Sequence, residues 1–256
     1  MFGSVFGFFS SRGRAQRAQV IVPKPDEPLF VIPDLHGAFP LLLDALAWKA
    51  REFADHRLIV LGDMIDRGLE SARVLRCLME LPSATCLMGN HEAMLLDVLD
   101  DPLRHGADWL RFGGQETLLS FGFQGLPRGP EAICAMAATL RERMGEDMIE
   151  WLRARPLYCQ SGNVVMVHAA LEPRRALQAQ SRKSMLWGHP DFGRVPRQDG
   201  LFVVHGHNVV PRARVEGGCL SLDTGAYATG ILSFSVIDSR GPVIYTLDLE
   251  GFQPHR

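Results

Sequence analysis

The sequence predicts an α/β fold, and three observations carry that prediction. Short apolar runs of strand character recur along the 256 residues: Leu29 to Ile32, Leu58 to Leu61, Thr85 to Met88, Val164 to Val167 and Leu201 to Val204. Helical spacing of apolar residues fills the intervals between the first three, which gives a β-α-β-α-β order. Each run ends on Asp, Asn or His, at the edge where parallel sheets present their ligands.

Taken in order, residues 1–28 read as a tail and a Pro-rich linker, Val22-Pro23-Lys24-Pro25, ahead of a single domain over 29–250. Leu29-Phe30-Val31-Ile32 is apolar throughout, as a strand buried on both faces should be, and leads into Asp34-Leu35-His36-Gly37. Leu42, Leu43, Leu46 and Ala50 share a helical face, so Phe39 to Phe53 is a crossover helix. The second strand ends in Gly62-Asp63-Met64-Ile65-Asp66-Arg67-Gly68, and a helix follows over about Glu70 to Leu81. The third ends in Gly89-Asn90-His91-Glu92. Right-handed crossovers put the carboxyl ends of all three strands on one edge, so Asp34, His36, Asp63, Asn90 and His91 converge.

Residues 93–155 turn helical, with breaks at Gly113-Gly114, Gly122 to Pro130 and Gly145, and read as a helical insertion beside that edge, the source of substrate selectivity. Its Met, Leu and Trp stripe reads as core, and Gly113 to Thr117 as a helix break without chemistry. Beyond Pro156, strands return and end on His168, on His205 and His207, and on Asp223. Ile231 to Ile237 and Val243 to Leu247 alternate in polarity and are expected to be antiparallel strands of a second sheet.

Composition removes several classes of function. Lys+Arg 27 against Asp+Glu 29 leaves a net charge of −2, without the basic footprint of a nucleic-acid binder. Five cysteines without C-x-x-C spacing point to a reducing compartment rather than a disulfide framework. The apolar start, Met1 to Phe9, is too short to span a membrane and precedes its arginines, so it reads as a tail or weak surface anchor. A cytoplasmic, soluble protein without a membrane span is the expectation.

Aspartate, asparagine and imidazole together form a mixed O/N donor set that suits Mn²⁺, Fe or Zn²⁺. Two such ions about 3.5–4 Å apart need a bridging carboxylate and serve in-line displacement at phosphorus. Asp63, on the central strand of the first three, is the natural bridge.

These motifs, Asp34-Leu35-His36-Gly37, Gly62 to Gly68, Gly89-Asn90-His91-Glu92, His168-Ala169 and Gly206-His207-Asn208, resemble in order and spacing the phosphoprotein phosphatase family of calcineurin-like metallophosphoesterases, in its bacterial serine/threonine branch. The resemblance implies a four-layer αββα sandwich with two metal ions (Mn, Fe or Zn) at the mouth of the sheets. It assigns Asp34, His36 and Asp63 to one ion and Asp63, Asn90, His168 and His207 to the other. It makes a bridging hydroxide the nucleophile and His91 the general acid, oriented by Asp66. Arg67, with Asn90, would contact the phosphoryl oxygens, a role that suits the planar guanidinium. A second phosphate-binding arginine is also implied, for which Arg174, Arg175, Arg182 and Arg194 are candidates.

Two points stay open from the residues. His205 is separated from His207 only by Gly206 and could replace it as ligand, although the resemblance favours His207 and makes His205 its support. Asp223-Thr224-Gly225 reads equally as a site landmark or a structural turn. The expected function is hydrolysis of phosphomonoesters, on phosphoserine or phosphothreonine of proteins or on a small phosphoester. The alternatives are a symmetrical bis(5'-nucleosyl)-tetraphosphate hydrolase and an inactive phosphate-binding scaffold.

Overall fold

The structure, a computed structural model, describes residues 21–248 and 251–254. The expected tail or surface anchor at the start of the chain lies outside them. The first half alternates strands and helices: β1 (Leu29–Ile32), α1 (Phe39–Glu52), β2 (Arg57–Val60), α2 (Ser71–Met79) and β3 (Thr85–Cys86). The helical block follows as α3 (Asn90–Asp100), α4 (Pro102–Trp109), α5 (Gln115–Ser120), α6 (Pro130–Met144) and α7 (Glu146–Arg153). Between α4 and α5 the chain kinks within Leu110–Gly114, where Gly113 takes a non-helical φ of 113°. The remainder comprises β4 (Tyr158–Ser161), β5 (Val164–Val167), α8 (Arg182–Trp187), β6 (Phe202–His205), β7 (Arg214–Glu216), β8 (Cys219–Ser221), α9 (Ala226–Thr229), β9 (Ile231–Asp238), β10 (Gly241–Asp248) and β11 (Gly251–Pro254).

Two sheets result, one ordered β11-β10-β9-β1-β2-β3 and the other β4-β5-β6-β8-β7. Strand alternation sorts their side chains into layers. Phe30 and Ile32 of β1 join Leu42 of α1 and Leu75 of α2 in a core between the first sheet and the helices. Leu29 and Val31 face the other way and meet Val164, Met166, Phe202 and Val204 between the sheets. Val165, Val167 and Val203 form a third core with Leu171, Leu177 and Met185. Strands covered on both faces need apolar residues at every position, which is why β1, β5 and β6 carry no alternation. The order helix, sheet, sheet, helix is the expected four-layer sandwich with its helical insertion.

The strands at 231–247 differ from the expectation. They are antiparallel, but β9 pairs with β1 through Leu29↔Ile237 and Val31↔Ser235 and so extends the first sheet. Without β9 the buried β1 would be an edge with unpaired N–H and C=O groups, a cost that pairing removes. The second sheet is built instead from the ligand-bearing strands β5, β6 and β8, which run parallel. Residues 22–28 lie against the β4–β5 turn, where Lys24 N donates to Asn163 Oδ1 at 2.6 Å and Asp26 N to Ser161 Oγ at 2.9 Å. No helix among the described residues is long and apolar enough to cross a membrane.

Candidate metal centre

The carboxyl ends of β1, β2 and β3 in one sheet and of β5 and β6 in the other deliver the charged and imidazole side chains. Asp34 and His36 follow β1, while Asp63, Asp66 and Arg67 follow β2. Asn90 and His91 occupy the first turn of α3 rather than a loop, and His168 and His207 follow β5 and β6. All except Arg67 and His207 are buried.

Among the described residues, the non-glycine positions with positive φ are His36 (44°), Asp63 (46°), Asp66 (70°), Arg67 (66°) and His207 (63°), and each is a predicted site residue. The left-handed region costs an L-residue about 1–2 kcal/mol, so something must over-determine it. Here each of the five backbone N–H groups has a partner. His36 N donates to Asp63 O (2.8 Å) and Arg67 N to Gly113 O (3.0 Å). Asp63 N donates to Glu92 Oε2 (2.9 Å), Asp66 N to Thr117 Oγ1 (2.9 Å) and His207 N to Asp34 Oδ2 (3.0 Å). Close approach adds a demand for glycine: a Cβ on Gly206 would run into Asp34 Oδ1, and one on Gly89 into Asp63.

Two groups of ligand atoms, His36/Asp63/His91 and Asp63/His168/His207, each lie within 4.8 Å of one another and share Asp63. Asp63 Oδ2 is 3.5 Å from His36 Nε2, and Oδ1 is 3.5 Å from His168 Nε2. One carboxylate thus addresses both groups.

The imidazoles are set for this by their far nitrogens. His36 Nδ1 donates to Ile65 O at 2.7 Å and His168 Nδ1 to Leu61 O at 3.1 Å, which leaves each Nε2 lone pair facing the centre. Burial lowers His36 to about 3 and His207 to about 4, and it lowers His168 as well. Neutral His168 Nε2 then confronts Asn90 Oδ1 at 2.9 Å and Asp63 Oδ1, acceptors facing an acceptor. A cation satisfies that arrangement, and nitrogen with oxygen donors fits Mn²⁺, Fe or Zn²⁺. On Asp63 itself burial acts upward, but His168, His91 and His36 outweigh it and hold the carboxyl well below its usual range. Asp34 lies outside both groups. Its oxygens accept His207 N, and burial, Asp223 and Asp63 raise its pKa.

His91 has a different environment. Its Nδ1 is 2.7 Å from Asp66 Oδ2, and its Nε2 lies 3.1 Å from Arg67 Nη2, whose Nη1 donates to His36 Nε2 at 3.2 Å. Burial alone would lower the His91 pKa, but Asp63 and the bond to Asp66 raise it. Asp66 receives two further donors, Trp109 Nε1 on Oδ2 (2.9 Å) and Thr117 Oγ1 on Oδ1 (2.6 Å). Tyr227 borders the same corner, its ring 5.1 Å from that of His36 and 5.1 Å from Arg67 Cζ.

Other predicted positions have partners of their own. His205 has both nitrogens in use, Nδ1 on Gly206 O (3.0 Å) and Nε2 on Ser221 Oγ (2.9 Å), so it supports the peptide before His207 rather than joining the ligand groups. Asp223 makes a turn, accepting Gly225 N at 2.8 Å, yet it also faces the site, and burial pushes it up to about 6. Arg174 and Arg175, candidates for a second phosphate contact, pair instead with Asp191 and Glu172.

Glu92, Trp109 and Thr117 carry functional contacts that the sequence reading did not assign. For Glu92 a signal existed, since an acidic residue three positions after a helix start is the capping-box pattern. For Trp109 and Thr117 none did, because an apolar stripe and a helix restart look alike whether or not a carboxylate lies beneath.

Fold and centre together define a class: an αββα sandwich with two His/Asp ligand groups joined by one carboxylate, as in metal-dependent phosphoester hydrolases. The chain belongs to the calcineurin-like phosphoesterase family, whose model matches residues 28–226. It is 29 % identical over 154 residues to the symmetrical bis(5'-nucleosyl)-tetraphosphatase of Neisseria meningitidis, covering 59 % of this chain and 47 % of that protein. It is 40 % identical over 86 residues to serine/threonine-protein phosphatase 2 of Salmonella typhimurium, covering 34 % and 38 %. The crystal structure of a candidate diadenosine tetraphosphatase superposes with a TM-score of 0.63 at 18 % identity, over 88 % of this chain and 96 % of that one, a likeness of fold. The chain spans about half the length of these tetraphosphatase relatives, from 42 % to 52 %.

Proposed function

We propose that this protein hydrolyses phosphorus–oxygen bonds at a two-metal centre and that its substrate is a symmetrical dinucleoside tetraphosphate. The chemistry rests on one observation above others, the Asp63 carboxylate with one oxygen toward His36 and the other toward His168. The substrate reading rests on relatives named as symmetrical tetraphosphatases that align over 152 to 168 residues, against 86 for the named serine/threonine phosphatase.

In this reading Asp34, His36 and Asp63 hold one ion, and Asp63, Asn90, His168 and His207 the other, within a single domain that includes the helical block. When bound, the ions supply Lewis acidity and an acidified water. His91 gives its Nε2 proton to the departing oxygen while Asp66 fixes the ring through Nδ1. Release of His36 Nε2 from Arg67 frees the guanidinium fork to hold phosphoryl oxygens, and the Asn90 amide adds an N–H.

A second reading, dephosphorylation of phosphoserine or phosphothreonine, is favoured by the 40 % identity to the Salmonella phosphatase. The test compares kcat/KM on diadenosine tetraphosphate and on a phosphothreonine peptide, with Mn²⁺, Fe²⁺ and Zn²⁺ each supplied. The nucleotide should be preferred at least ~10-fold, a difference of about 1.4 kcal/mol in transition-state binding. Preference for the peptide would install the second reading, and no turnover of either would leave a phosphate-binding scaffold.

A further inference from the structure

We propose that Trp109 and Thr117, from the helical insertion, are positioning residues for proton delivery by His91, so that this insertion is part of the hydrolytic apparatus as well as a wall of the cleft. The inference rests on His91 being the acid of a phosphoester hydrolase. It starts from hydrogen-bond direction. An indole N–H can only donate, so Asp66 Oδ2, which takes Trp109 Nε1 at 2.9 Å, is an acceptor on that side. The Thr117 hydroxyl donates to Oδ1 at 2.6 Å and accepts Asp66 N at 2.9 Å, bracing the carboxylate and the left-handed backbone of the same residue.

Two donors on its oxygens favour the ionised form of Asp66, and an ionised Asp66 bonds His91 Nδ1 at 2.7 Å only if that nitrogen carries a hydrogen. The second nitrogen, Nε2, then faces Arg67 and Asp63 and is the one that exchanges a proton with the site. In the reaction the Nε2–H bond breaks and an O–H bond forms on the leaving oxygen, which receives the electron pair of the P–O bond. The ring is left neutral, with its hydrogen on Nδ1 still donated to Asp66. The kink between the two donors is tied to the same loop, because Gly113 O accepts Arg67 N at 3.0 Å and a Cβ at Gly113 would meet Arg67. Burial fits this role: Trp109 is 1 % and Thr117 0 % exposed, so neither donor shares its hydrogen with water.

The test has two arms on the full chain. In the metal-free protein, at a pH where the ring is neutral, ¹⁵N-edited NMR of labelled histidines should find the His91 hydrogen on Nδ1, and Trp109→Phe should shift or broaden that signal. With metal supplied, kcat is measured on aryl phosphates of rising phenol pKa. Trp109→Phe and Thr117→Val should lose about tenfold more rate on phenyl than on p-nitrophenyl phosphate, whereas Thr117→Ser, which keeps the hydroxyl, should restore the wild-type ratio. A wild-type His91 with its hydrogen on Nε2 overturns the proposal, even where the variants fail to fold. Equal losses on both esters overturn it too. If neither these esters nor diadenosine tetraphosphate is turned over while the Nδ1 signature and its response to Trp109→Phe are present, the hydrolase reading fails and the positioning role stands.

Discussion

The backbone N–H of Asp63 donates to Oε2 of Glu92 across 2.9 Å, and the same oxygen accepts Gly89 N at 2.9 Å while Oε1 accepts Met64 N at 2.7 Å. One buried carboxylate thereby joins the loop after β2 to the first turn of α3. Burial and the nearby Asp63 push its pKa up to about 8, so it is held at a cost that its backbone donors offset.

Removal of that carboxylate leaves four buried N–H groups, those of Asp63, Met64, Ile65 and Gly89, without a partner. Glu92→Ala should destabilise the protein by about 3 kcal/mol or more, and Glu92→Gln by less, because the amide oxygen keeps part of the set. Urea unfolding of the metal-free chain measures both. A loss below ~1 kcal/mol for the alanine variant would show that Glu92 does not hold the loops together.

Asp63 lies in both ligand groups, so Asp63→Asn should weaken both ions at once. Elemental analysis after loading with Mn²⁺ should approach two ions per wild-type chain and fall below one in the variant, with near-native circular dichroism. Stripping the wild type with a chelator should lower its Tm, since an ion that binds only the folded state stabilises it. Full stoichiometry in Asp63→Asn would exclude the shared-carboxylate arrangement.

His207 and His205 differ by two positions and should differ in kind. His207→Ala removes a donor from one ligand group and should reduce metal content with little change in stability. His205→Gln disturbs the bonds to Gly206 O and Ser221 Oγ and should cost about 1–2 kcal/mol while retaining most of the metal. The same two measurements on both variants decide it, and a reversed pattern would make His205 the ligand.

Cys86 and Cys159 are free thiols that burial pushes up to about 12, and burial likewise raises Cys219 to about 11. A raised pKa lowers the thiolate fraction at any pH below it, to roughly 10⁻⁴ at pH 8 for a thiol of pKa about 12. Titration of the native chain with a disulfide reagent at pH 8 should therefore leave buried Cys86 unreacted until denaturant is added, and half-buried Cys159 and Cys219 should react slowly. Rapid modification of all five cysteines would contradict the burial.

The first strands, the crossover helices and the polar strand ends were legible because their determinants are local. A strand buried on both faces must be apolar throughout, and a metal or phosphate site needs Asp, Asn and His where strands stop. Leu29 to Ile32 and Val164 to Val167 meet the first condition, and Asp34, Asp63 and His168 the second. Motif order extended this to the calcineurin-like phosphoesterase family and its four layers, but not to a branch within that family.

Pairing between distant segments was settled only by the tertiary structure. Alternation at 231–247 signalled antiparallel strands but could not say that β9 completes the first sheet beside β1. The positive φ of Asp63 and Asp66 is sustained by Glu92 and Thr117, and the carboxylate of Asp66 is held from 43 and 51 residues away by Trp109 and Thr117. His205 and His207 look alike along the chain and part only where Ser221 and Asp63 approach them. Residue type fixes which bonds a side chain can make, and that much is carried by the sequence. Direction and partner depend on packing between segments far apart in the chain, and these the tertiary structure alone decides.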